Sequence, residues 1–457
     1  MDRSDARARG GTYYSPRVTR HARAGRRSPV VIALAIAFLV VASLGAAAAA
    51  LHPWAPPATG STSSAHGPDA VATRSSATPT PTPTPTADPD AEFTIVAAGD
   101  VLPHLPVLAD ARVSGGGYNF GPLLAPMNPW IQGADLALCH MEVPIAPAGT
   151  RPSGYPLFGT ASEIAADLKA QGWDGCSTAS NHSVDRGFPG VAATLDAFDA
   201  VGLGHTGTAR SALEQSQPQL YQLERGGQTI TVAHIAAAYG TNGMPIAADK
   251  PWSVNLIDVP AMAAQAAAAR TAGADLVIAS VHCCVEYQTA PTTEQVAFDQ
   301  ALADTGQFDL LIGHHAHVPQ PVVKLSGGPR GEGMWVAYGL GNFLSNQDDA
   351  CCVENTDSGL LLTAHVSSPG AFHARGTVAG PARVTGVEWT PITVDRLGGH
   401  QVHALVDIPT GTSSLSPAAV ADRLARVTAA AGDQAPQRTT PTAPTGPAPL
   451  VVPRTAG

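Results

Sequence analysis

The chain has 457 residues, with 26 Lys and Arg against 36 Asp and Glu, for a formal charge of −10 with histidine neutral. Its first 27 residues carry eight Arg against Asp2 and Asp5, so residues 28–457 stand at −16. Such a surface repels nucleic acid, which excludes a nucleic-acid partner, and it repels any polyanion unless cations bridge the two.

The Arg-rich leader, 1–29, precedes 22 residues (30–51) with no charge, long enough to span a bilayer as a helix. Basic residues before an apolar span predict a cytoplasmic N-terminus and an extracytoplasmic remainder, a single-pass cell-membrane protein. The Ala run at 46–50 also fits signal-peptide cleavage. Residues 52–92 are Pro, Thr, Ser and Ala, with a Pro-Thr repeat at 78–86; such a tract cannot bury a core and reads as a disordered stalk.

From 93 to about 400 short apolar runs alternate with Ala-rich helical patterns, the signature of an α/β domain. Strands are predicted at 93–98, 136–139, 175–178, 229–236, 276–281, 308–312 and 334–338, and helices at 161–171, 190–201, 261–272 and 293–304. Two further strands, 360–366 and 382–389, follow without intervening helices, which favours a mixed sheet or two packed sheets. The extension 401–457 is expected to be mostly disordered, with a short helix at 416–430 before the Pro/Thr-rich 434–457.

Six cysteines in a region expected to lie outside the cytoplasm predict disulfides. They are Cys139, Cys176 and the neighbouring pairs Cys283-Cys284 and Cys351-Cys352, without Cys-x-x-Cys spacing. The expected pairing joins Cys139 to Cys176, with one or two bridges between the vicinal pairs.

The polar residues that carry chemistry follow the predicted strands, where α/β folds place ligands. Asp100 follows the first strand, His140 and Glu142 the second, and Asn181, His182 and Asp185 the third. His282 and Glu286 follow the fifth, and Gly-His-His-Ala-His at 313–317 the sixth. Neutral imidazole is the commonest protein ligand of transition metals, and His315 and His317, two apart on one loop, can aim at one ion or two neighbouring ones. Singly, each has a bland reading. Asp100, Asn181 and Asp185 could cap turns, Glu142 could lie on the surface, and His282 could be a satisfied core histidine. Together they make up the ligand set of a two-metal hydrolase.

At this point the chain resembles the CapA family of poly-γ-glutamate capsule synthesis proteins, within the calcineurin-like metallophosphatases. The matching stretches, in order, are Ala98-Gly99-Asp100, His140-Met141-Glu142, Ser180-Asn181-His182-Ser183-Val184-Asp185, Tyr239-Gly240-Thr241-Asn242-Gly243, His282 with Glu286-Tyr287, the Gly313 to Gln320 loop, and Gly339-Leu340-Gly341-Asn342-Phe343. The resemblance implies a four-layer αββα sandwich. It implies two divalent transition-metal ions (Mn, Fe or Zn): Asp100 and His317 on one, Asn181, His282 and His315 on the other, Glu142 between them. His182 would be the general acid or the group that polarises the scissile bond, and Asp185, Glu286 and Asn342 would support the ligands or touch substrate. The chain departs from the family at His140, where Asn is usual, so His140 is an extra ligand or a substitute supporting donor. It departs also at Cys283-Cys284 and in lacking a histidine two residues after Asp100, His104 being four away. The function implied is synthesis, export or processing of a cell-surface polymer, with that polymer or its synthase complex as partner. A phosphoesterase of the envelope and a non-enzymatic scaffold of a capsule synthase are the alternatives.

Overall fold

The computed structural model describes residues 87–457. The expected membrane span at 30–51 and nearly all of the stalk lie outside the described residues, among which no helix is long and apolar enough to cross a membrane.

The chain first lays down β1 (Ala91–Val101), β2 (Leu136–Met141), β3 (Gly175–Ser177) and β4 (Gly204–Thr206) as parallel neighbours. Between them run α1 (Leu105–Asp110), α2 (Gly121–Leu124), α3 (Asn128–Gln132), α4 (Glu163–Gln171) and α5 (Gly187–Val201). After α6 (Ala212–Ser216) it builds a second sheet from β5 (Gln219–Arg225), β6 (Gln228–Ala238), β7 (Leu276–His282), β8 (Leu310–His314), β9 (Val322–Leu325) and β10 (Met334–Ala337). Helices α7 (Val259–Thr271) and α8 (Thr293–Asp304) cross between β6, β7 and β8. It then returns to the first sheet with β11 (Asn342–Leu344), β12 (Ser358–Ser368), β13 (Arg383–Asp395) and β14 (Gln401–Ala404), followed by α9 (Pro417–Ala431) and β15 (Leu450–Val452). The first sheet has the order β14-β13-β12-β1-β2-β3-β4, with β11 also on β1; the second is β15-β5-β6-β7-β8-β10-β9.

Strand alternation sorts side chains into layers. Phe93, Ile95 and Ala97 of β1 and Leu136 and Leu138 of β2 pack between the sheets against Ile230, Val232, Leu276, Ile278, Leu310 and Ile312. The intervening Val96, Ala98, Ala137 and Cys139 face Leu108, Leu124, Trp130, Ile164 and Phe198 of the first helix layer. Ile235, Val277, Ala279 and Leu311 face Met262, Ala266 and Leu302 of the second. The result is helices, sheet, sheet, helices. Burying each Leu, Ile or Phe is worth about 1.5–3 kcal/mol, so the central apolar layer is a rigid base for what sits at its end.

Two expectations are corrected. Residues 434–457 were expected to be disordered, yet Trp389 donates its backbone N–H to Pro436 O at 3.1 Å, and β15 pairs with the edge strand β5. Buried Arg454 donates to His205 O at 2.8 Å and Thr445 N–H to Asp135 Oδ1 at 2.7 Å. A Pro/Thr segment has no core of its own, but an open sheet edge and buried acceptors supply what it lacks. The cysteine pairing is corrected in part. Cys139 and Cys176, opposite one another in β2 and β3, are bonded. The vicinal pairs close on themselves instead of bridging, because Cys283 turns with Val281 into the outer core while Cys351 sits in an exposed turn on Asp348 O.

Candidate metal centre

The site forms where β1, β2, β7 and β8 end and the apolar layer between the sheets gives way to polar side chains. Close approach of neighbouring backbone at this end requires glycine. A Cβ on Gly99 would strike the backbone of Gly341, and one on Gly313 the backbone of Tyr338. Asp100, freed at the end of β1, donates its N–H to Gly341 O at 2.9 Å while its side chain reaches the histidine loop. In that loop His315 and His317 adopt φ of +86° and +56°, a left-handed region that costs a non-glycine residue about 1–2 kcal/mol. The turn thereby brings the side chains of both toward the end of β1.

Three acid and imidazole groups converge. Asp100, Glu142 and His317 place one ligand atom each within 4.8 Å of one another, as do Glu286, His315 and His317, and Asp100, His140 and His314. His317 Nδ1 lies 3.0 Å from Asp100 Oδ2, and its Nε2 3.6 Å from Glu142 Oε1. Beside them runs a buried chain: Ser177 Oγ to His140 Nδ1 at 2.7 Å, His140 Nε2 to His282 Nδ1 at 2.9 Å, and His282 Nε2 to Asn181 Oδ1 at 2.9 Å. The His282 and His315 rings are 4.7 Å apart. Asn342 Oδ1 approaches His317 Nδ1 at 3.1 Å, and its amide donates to Thr356 O at 2.9 Å, which ties β11 to the site. His182 stands at the rim, its Nδ1 2.7 Å from Asp185 Oδ2, which also accepts Phe158 N–H at 2.8 Å.

The structure therefore brings together Asp100, Glu142, Asn181, His282, His315 and His317, with His140, Glu286 and Asn342 against them and His182 and Asp185 adjoining. Glu286, expected to support the ligands or touch substrate, is itself close enough to His315 and His317 to act as a ligand. His104 joins none of the ligand groups; its Nδ1 is held by Leu102 O at 2.9 Å. Sequence reasoning did not assign His314, whose ring stacks on His140 with centroids 4.0 Å apart. Strand parity was the signal available, since His314 shares a face with Leu310 and Ile312. Tyr239, with its ring 4.7 Å from that of His315, was also unassigned.

Burial and mutual charge set the protonation. Burial would push Asp100 up, but the imidazoles of His314 and His317 beside it and the charge of His317 overcome it and hold the carboxyl well below its ordinary range. Burial raises Glu142 well above its ordinary value, only partly offset by His317. Burial alone would lower His317; the charges of Glu142 and Asp100 reverse that and lift it to about 10. Burial and the nearby His317 lower His315 to about 3, and burial with neighbouring imidazoles holds His140 and His282 well below 6.5.

The donor set fits metal ions. Asp100 Oδ1, both Glu142 oxygens and His315 Nδ1 are buried without any hydrogen-bond partner. Polar atoms left so would each cost about 1–3 kcal/mol, and carboxylates more, unless a cation satisfies them. Imidazole with carboxylate oxygen suits Mn, Fe or Zn.

Residues 94–347, or 254 of the 457, match the family described as "Bacterial capsule synthesis protein PGA_cap". The chain is 28% identical over 180 residues to "PGA biosynthesis protein CapA" of Bacillus subtilis, 39% of this chain and 44% of that one. It is 27% identical over 266 residues to "Probable polyglutamine synthesis accessory protein Rv0574c" of Mycobacterium tuberculosis, 53% and 67% respectively. The match thus spans less than half the length of the Bacillus relative. Among solved structures, the 5'-nucleotidase precursor of Thermus thermophilus aligns over 73% of this chain and 58% of its own, with 12% identity and a TM-score of 0.40. The calcineurin-like phosphoesterase YfkN of Bacillus subtilis aligns over 74% and 97%, with 14% identity and a TM-score of 0.38. With more than half of its residues matched, the chain belongs to the bacterial capsule synthesis protein family PGA_cap.

Proposed function

We propose that this chain is a membrane-anchored, extracytoplasmic hydrolase-type protein that serves the synthesis, export or processing of a poly-γ-glutamate-like surface polymer through a dinuclear metal site. The observation that carries the reading is the buried convergence of unpartnered oxygens and imidazole nitrogen on Asp100, Glu142 and His315. Asp100 and His317 would hold one divalent ion, Asn181, His282 and His315 a second, with Glu142 shared between them. When bound, the ions supply Lewis acidity and a water of lowered pKa.

The remaining work falls to side chains. Asn181 Oδ1 can only accept, so without metal His282 carries its proton on Nε2 and the chain back through His140 to Ser177 is oriented accordingly. With Nε2 as the ligand nitrogen, His282 would keep its proton on Nδ1 and donate it to His140 Nε2, and His140 would donate Nδ1–H to Ser177. His140 is therefore a positioning residue that fixes the His282 ring in either state. Asp185 holds Nδ1–H of His182 and leaves Nε2 to deliver a proton to a leaving group. The edge of Phe158, ring centroids 4.8 Å from His182, shields that pair from water.

The test is elemental analysis of the purified full chain beside Glu142→Ala and His317→Ala. Close to two transition-metal ions per chain in the wild type, lost in both variants, is the expected result. Cleavage of a γ-glutamyl amide then supports the polymer reading, whereas cleavage of a simple phosphodiester alone replaces it with an envelope phosphoesterase. A wild-type chain that takes up no metal sinks the hydrolase and leaves a scaffold for a synthase complex.

A further inference from the structure

Asp309 precedes β8 whereas His314 to His317 end and follow it, so the two mark opposite ends of the strand. At the Asp309 end, between the β9-β10 edge of the second sheet and the start of β13 in the first, lies a cleft of about 260 Å³ lined by Lys324, Arg330 and Arg383 with Glu332 and Asp309. Its charge balance is unusual for a chain whose residues 28–457 stand at −16. Asp309 is taken by Arg270, Nη2 to Oδ2 at 2.5 Å. Arg330 and Arg383 share one carboxylate, Glu332, at 3.4 and 3.2 Å. Lys324, one of three lysines in the chain, lies over the Trp335 ring at 5.7 Å without a carboxylate partner. Two positive charges are in surplus. By contrast Arg225 and Arg396 each have a carboxylate to themselves, Asp135 and Asp348.

We propose that this cleft is a second binding site, which holds an acidic stretch of the polymer by its carboxylates at the end of the strands remote from the metal centre. The inference rests on the polymer reading above. The net charge repels a polyanion, so contact must occur where cations are concentrated, and here they are. Guanidinium groups match carboxylates in paired hydrogen bonds, and Arg330 and Arg383 have only Glu332 between them. The cleft is smaller than the roughly 300–1,000 Å³ of a drug-sized pocket, which suits one or two acidic units of a longer chain.

The experiment is fluorescence anisotropy of labelled hexa-γ-glutamate titrated with the full chain at low ionic strength. Wild type binds, and the double variant Lys324→Gln/Arg383→Gln binds at least about tenfold more weakly, with metal content and unfolding midpoint unchanged. A double variant that binds as wild type overturns the proposal. So does equal binding of the neutral hexa-γ-glutamine, or displacement of the hexamer by inorganic phosphate at matched charge. Metal content is read separately: a metal-loaded chain that ignores the hexamer removes this site and leaves the hydrolase, and binding at the cleft by a metal-free chain does the reverse.

Discussion

Replacing Glu142 by Gln tests whether the centre is built for cations at the expense of the metal-free fold. In the metal-free protein one imidazolium, His317, stands between the carboxyl groups of Asp100 and Glu142, all at 0–3% side-chain exposure, so ionising Glu142 as well as Asp100 leaves a negative charge in surplus. Both Glu142 oxygens lack a hydrogen-bond partner. Gln removes the surplus charge at nearly constant volume, and His317 keeps Asp100 at 3.0 Å. Relief of the cost of ionising a buried carboxyl is worth about 1–3 kcal/mol, so Glu142→Gln should be more stable than wild type by about that much in chelator. Because burial raises the Glu142 carboxyl, the cost exists only where the unfolded carboxyl is ionised. The gain should therefore shrink as pH falls toward the ordinary carboxyl value of 4.5 and be absent below it. With metal at a hundred times its dissociation constant, wild type gains about 2.7 kcal/mol and the variant far less, so the order narrows or reverses. Urea unfolding with and without metal reads both states. A variant less stable than wild type in chelator would show that Glu142 is already satisfied without a cation, and the reasoning fails.

His317, lifted to about 10 from an ordinary 6.5, holds a proton in the metal-free site. Its contribution to metal-free stability is full below pH 6.5 and is lost as pH rises through 10. Metal must displace that proton, so affinity should rise by about tenfold per pH unit from 7 to 9, with one proton released in calorimetry in two buffers. Affinity independent of pH contradicts this. His182→Ala should leave metal content intact and lower hydrolysis by about 10²–10⁴-fold. Asp135→Ala strips Arg225 (2.7 Å) and Thr445 of their partner and should cost about 3–5 kcal/mol in thermal or urea unfolding, since it strands a buried guanidinium. Loss below 1 kcal/mol would mean that the C-terminal segment is not held as described.

The sequence by itself determined the long strands and the residues at their ends. Runs such as Leu276–His282, apolar on both faces, can only be interior strands, and carboxylates and imidazoles that repeatedly follow such runs need a reason other than packing. Tertiary structure decided what pattern cannot carry. The short edge strands β4, β9 and β14 and the short β11 on β1, each of three or four residues, have too little periodicity to be read and exist because a neighbour's backbone pairs them. The Pro/Thr-rich tail is ordered by an open sheet edge and by acceptors such as Asp135, far away in sequence. Whether His140 is a ligand or a support depended on its nitrogens meeting Ser177 and His282, a contact between two sheets. Local chemistry writes the ligands into the chain; their partners are set by long-range packing, which places side chains distant in sequence within 3 Å.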